Sequence, residues 1–172
     1  MKVLIKILII FLALVFDTAI FPNIGFLSVV PDMSLCVAVS FALLEGSLQG
    51  AIMGLGCGLL IDITCGSSLG FYALQYVIVG YLAGILSSRI KASKFLFPSV
   101  TIAISYFIKT GVLCILLFFR NVNTNFFIIL ATSLLGALLT ALWMQPVHFL
   151  NRKLHNTRVM KYKSVTKEEF NL

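Results

Sequence analysis

Charge is what this sequence has least of. Its 172 residues carry 13 basic and 6 acidic side chains, so 11% are charged, against about a quarter in a typical soluble domain. With 60% hydrophobic residues and a mean hydropathy of +1.06, a soluble fold would lack the polar side chains to cover its surface. The apolar excess points to lipid-facing helices in one domain. Catalytic patterns are missing too. The two histidines, His148 and His155, have no second ligand at metal-binding spacing. Walker A, GxGxxG and paired-carboxylate signatures do not occur. The four cysteines, Cys36, Cys57, Cys65 and Cys114, form no CxxC pair; Cys36, Cys57 and Cys114 read as packing residues, and Cys65, in an expected outer loop, is open to modification. One pattern does match a nucleophile motif, Gly66-x-Ser68-x-Gly70. It is rejected, because that chemistry needs a strand–turn–helix setting and a histidine base within reach. No catalytic, cofactor-binding or metal-binding residue is expected.

What the chain does have is long apolar runs, each to be weighed against the ~20 residues of a membrane-spanning helix. They lie at about 3–21, 31–45, 48–63, 69–88, 97–119 and 126–150, followed by a basic tail over 151–172. The stretch 31–63 is ambiguous, because Glu45-Gly46-Ser47 divides it into two short halves. Charge parity resolves it. Lys2 and Lys6, then Arg89, Lys91 and Lys94, then the tail from Arg152 to Lys167 hold most of the positive charge, and such clusters stay cytoplasmic. Only two crossings within 31–63 put all three on one side. The expected fold is therefore an all-α, six-helix polytopic membrane bundle with both termini cytoplasmic, Arg120 being the exception. The net charge of +7 serves orientation and contact with anionic lipid. It does not mark nucleic-acid binding, since no soluble face remains to gather it.

Two kinds of residue interrupt the apolar background. Gly46, Gly50, Gly54 and Gly58 recur every four residues and lead to Asp62, and Gly80 and Gly84 repeat the spacing one segment later. Spacing of four keeps small residues on one helix face, where another backbone can approach closely. That face suits internal packing or a partner helix. Pro31-Asp32 reads as a helix start, with Pro in the first turn and Asp at the positive dipole end. Lys109 lies inside an apolar segment, where charge is costly and calls for a partner. Asp17, Asp32 and Asp62 all fall toward the same outer side. All three are candidate partners, the pair with Asp62 being the one singled out, with snorkelling of Lys109 to the interface as the alternative.

The sequence Pro31-Asp32, Glu45-Gly46 through Gly50-Ala51-Ile52 and Gly54, then Gly58-Leu59-Leu60-Ile61-Asp62, resembles the rod shape-determining MreD family. Its continuation through Gly66, Gly70-Phe71-Tyr72-Ala73-Leu74 and Gly80-Tyr81-Leu82-Ala83-Gly84 is similar as well. The matching block covers residues 31–84 and leaves Lys109 outside. The resemblance implies a non-enzymatic scaffold in the bacterial cytoplasmic membrane, supporting lateral peptidoglycan synthesis and cell shape. Its implied partners are an MreC-like single-span protein, the MreB cytoskeleton and the wall synthases of the elongation complex. It also implies a fold similar to the substrate-binding subunits of energy-coupling-factor vitamin transporters. Such a subunit is the alternative function, with Tyr72, Gln75, Tyr76 and Lys109 as the groups for an outward-facing pocket.

Overall fold

A computed structural model describes residues 2–23, 30–65, 70–89, 96–119 and 126–155, and they are almost entirely helical. In lipid, a segment without neighbouring strands can satisfy its backbone only within a helix. Six α-helices follow in order among the described residues. They are α1 (Lys2–Val15), α2 (Met33–Glu45), α3 (Ser47–Cys65), α4 (Phe71–Arg89), α5 (Leu96–Phe119) and α6 (Phe126–His155). A π-helical turn, Phe16–Ile20, prolongs α1. Among the described residues three helices, α3, α5 and α6, are long and apolar enough to cross a membrane, while α2 and α4 are shorter apolar helices. The chain is thus an all-helical bundle of membrane character. Helix α6 continues past Leu150 to His155, with Asn151 buried and Arg152 and Lys153 exposed. Gly66, Lys91, Lys94, Arg120 and the tail beyond His155 lie outside the described residues.

The bundle is arranged around α2. Residues 33–42 are all buried, and α2 touches α1, α3, α4, α5 and α6. A helix that is apolar all round is a helix buried all round. At 13 residues it is only ~20 Å long. A helix enclosed by its neighbours need not match the ~30 Å of bilayer hydrocarbon. The outer surface carries the large apolar side chains instead, including Leu4 and Phe11 on α1, Ile115 on α5, and Leu138 and Leu142 on α6.

Helices α2 and α3 form a hairpin joined by Gly46 alone. Its φ of +98° suits glycine, and its N–H closes α2 on the Ala42 carbonyl at 3.0 Å. Gly46 therefore departs from the packing ladder. A Cβ there would meet nothing within 4 Å, and the backbone turn is what requires glycine. The remaining glycines lie at contacts inside the chain. Gly54 rests against the Tyr76 backbone, Gly58 against Ala73, Gly50 against Gly80, and Gly84 against Ser47. Helices α3 and α4 thus meet backbone to backbone, the close approach that small residues permit in membranes.

A side chain at these positions must push α4 away, whereas Gly111 faces open space. Gly54→Leu is expected to destabilise the bundle by about 1–3 kcal/mol through overpacking, and Gly111→Leu by less than about 0.5 kcal/mol. Unfolding of the two variants in detergent mixtures checks this. Equal midpoints would contradict the contact.

Candidate functional site

The first turn of any helix leaves backbone N–H groups without intrahelical acceptors. At the start of α2 those groups are buried where water cannot serve them, so the protein must supply acceptors. It uses two carboxylates. Asp32 is the N-cap and accepts from the Leu35 N–H at 2.9 Å. Asp17 reaches across from the π turn and accepts from the N–H groups of Met33 and Ser34 at 2.7 and 2.8 Å. Thr140 of α6 accepts from the Asp32 N–H at 3.4 Å. Pro31, ahead of the cap, has no N–H to satisfy. With Asp32 as the cap, it precedes the helix instead of sitting in its first turn.

Asp32 also carries the principal charge pair. Lys109 of α5 donates to Asp32 Oδ2. The Tyr76 hydroxyl of α4 lies 2.7 and 2.6 Å from the two Asp32 oxygens. It also accepts from Lys109 Nζ at 3.2 Å. Three rings surround the ammonium, with centroids of Tyr76, Tyr72 and Tyr106 at 5.0, 5.7 and 6.0 Å from Nζ. Such faces attract a cation, most strongly when it is desolvated. This single knot joins α1, α2, α4, α5 and α6.

The ion pair expected between Lys109 and Asp62 is not formed. Asp62 is buried, 2% exposed, and it caps α4. It accepts from the N–H groups of Gly70, Tyr72 and Ala73 at 2.9, 2.9 and 3.1 Å. The three donors occupy its two oxygens, so its charge is balanced by the helix N-terminus. Gly70, with φ +95°, turns the chain into that cap. Asp17 and Asp62 therefore do the same work, each closing the helix that follows its own.

A second polar contact lies at the opposite end of α2. Lys6 of α1 donates to Glu45 at 2.6 Å and to Gln49 of α3 at 3.1 Å, and it stands over the Phe41 ring. Sequence reasoning assigned Lys6 only to orientation. The available signal was depth, since Lys6 and Glu45 both lie near the same ends of adjacent segments. His148 sits 3.1 Å from the Ser40 hydroxyl. Among the described residues no group of three His, Cys, Asp or Glu side chains is placed to hold a metal. Of the residues suggested for a ligand pocket, Tyr76 and Lys109 are bonded within the knot. Gln75 is 2% exposed and closed off within the helix packing.

The chemistry available here is mutual neutralisation, with one base, one acid and a phenol binding one another at the N-terminus of α2. Losing one partner of a buried pair costs about 3–5 kcal/mol, because the other charge is stranded. Lys109→Met and Asp32→Asn are each expected to destabilise strongly, and the double variant by less than their sum. Lys109→Met combined with Asp62→Asn should instead be additive. Unfolding free energies of the singles and doubles check this. Coupling of Lys109 to Asp62 would overturn the assignment.

The family model described as rod shape-determining protein MreD aligns with residues 1–154. No curated protein and no solved structure matches the chain significantly.

Proposed function

The chain belongs to the rod shape-determining protein MreD family, and from that premise we propose that it is a non-enzymatic membrane scaffold of the bacterial wall-elongation complex. The family has a role in determining cell shape. On our reading the protein is multi-pass in the cytoplasmic membrane and binds an MreC-like single-span partner. It thereby supports lateral peptidoglycan synthesis alongside MreB and the wall synthases. The observation that carries this reading is how the intramembrane charges are used. Asp17, Asp32 and Asp62 bind helix N-termini, and Asp32 also binds Lys109. They hold helices to one another, as a rigid platform requires, while the large apolar side chains on the outside remain available to neighbouring spans.

Six crossings with both termini cytoplasmic complete the proposal. In that orientation the Lys6–Glu45 pair would lie at the cytoplasmic end of α2, and the Asp17, Asp32 and Lys109 knot at the outer end. Reporter fusions within 90–95 and after His155 are expected to read as cytoplasmic, and fusions within 121–125 as external. The reverse pattern would overturn the orientation.

Copurification of the tagged protein from its native host in mild detergent tests the function, with mass spectrometry of proteins and small molecules. An MreC-like protein and wall synthases, without a stoichiometric small molecule, are the expected result. A vitamin-like ligand accompanied by ATPase subunits would replace this reading with the transporter one.

A further inference from the structure

The glycine face of α3 is taken up by α4 inside the chain, and is not free for a partner. The outward side of α4 carries Leu74, Ile78 and Tyr81, four and three residues apart and therefore on one helix face. Leu74 is 60% and Tyr81 49% exposed. Among the described residues the Tyr81 hydroxyl makes no hydrogen bond. Tyr81 lies ~15 Å from Phe71 and ~12 Å from Arg89, the two ends of α4. Its side chain leans toward the Phe71 end, which carries the hydroxyl along the middle of the helix. Exposed Thr18, Thr64 and Thr132 bear hydroxyls too, but each donates to a carbonyl three or four residues back. A phenol is too long to reach its own backbone in that way.

We propose that this face of α4 receives one transmembrane helix of a partner protein, which presents a hydrogen-bond acceptor level with Tyr81, from a Ser, Thr, Asn or Gln side chain. Two independent observations select a helix over lipid. Acyl chains hold no acceptor for a hydroxyl at that depth, whereas polar side chains bond across helices in membranes. The second is length. The apolar part of α4, Phe71–Ser87, is ~25 Å long, short of the ~30 Å of bilayer hydrocarbon. A short span lessens that mismatch by associating with another helix. Helix α6 is the contrast, apolar over Ile129–Leu154, ~39 Å. Its polar Thr132 and Gln145 are bonded inside the chain. This docking face deepens the scaffold reading and rests on it.

The full chain is expressed in its native host with Leu74 replaced by photoreactive p-benzoylphenylalanine, or with Leu138 so replaced. Leu138 of α6 is 63% exposed and serves as the control face. Cells are irradiated and the adducts identified by mass spectrometry. Adducts from position 74 to the transmembrane span of a single-span protein, and few from position 138, are the expected result. Tyr81→Phe removes the hydroxyl alone. It should leave the unfolding midpoint of the chain unchanged. Its affinity for that single-span protein, both purified in detergent, should fall about three-fold, the worth of one interhelical hydrogen bond in a membrane. Adducts from position 74 to lipid alone, or to a second copy of this chain, would overturn the docking face. So would adducts to the single-span protein from position 138 in place of 74, or an unchanged affinity of Tyr81→Phe. A lowered midpoint for Tyr81→Phe would overturn it too, since the hydroxyl would then be bonded within the chain. Copurification with the unaltered chain separates the two readings. If no single-span protein is recovered, the scaffold reading fails and the docking face with it. If one is recovered but is not cross-linked from position 74, the docking face alone fails.

Discussion

The N-terminus of α2 is the constraint on which the bundle depends. A helix that starts inside an apolar core brings unbonded N–H groups and a partial positive charge to a place without water. Asp17 and Asp32 meet that demand, but two carboxylates so close together repel each other. Lys109 and the Tyr76 hydroxyl supply the compensating cation and donor. Every outer helix that meets Asp17, Asp32 or their donors is held in register by them. The burial of Asp17, Asp32 and Lys109 thus follows from the short, central helix α2.

The same solution recurs at α4, where Asp62 from α3 satisfies the N–H groups that begin the next helix. Here the preceding contact is different in kind. Gly50, Gly54 and Gly58 bring α3 and α4 together by backbone approach, which places Asp62 within reach of the α4 terminus. Directional bonds fix the ends of these helices, and small residues fix their flanks. Neither element needs water, so both suit a protein whose surroundings are lipid.

Composition was enough to read an all-helical membrane bundle, because lipid imposes hydrophobicity on whole segments and leaves few folds to choose from. The azimuth of side chains was harder to read. Hydropathy and charge parity place Asp17, Asp32, Asp62 and Lys109 at a common depth but do not say which faces which. Lys109 was accordingly matched to Asp62, although the α4 N-terminus had already claimed that carboxylate. The π turn at Phe16–Ile20, which carries Asp17 toward α2, has no signature in the sequence. Gly46 was read as a packing residue because it keeps the four-residue spacing, and only its φ of +98° reveals a turn. Lys6 was read only as a segment-end charge that orients a span, which drew attention away from Glu45.

Membership of a shape-determining family and a core of self-neutralising charge fit together. The proposed scaffold would have to keep its helices in place while neighbours press on its lipid-facing sides, and a polar knot in a low-dielectric setting is costly to break. The most direct test of the knot is solid-state NMR on the protein in bilayers, with ¹⁵N-labelled lysine and ¹³C-labelled aspartate. Dipolar coupling between Lys109 Nζ and the Asp32 carboxyl carbon, abolished by Asp32→Asn and unaffected by Asp62→Asn, is the predicted result. Coupling that survives Asp32→Asn and vanishes with Asp62→Asn would contradict the account.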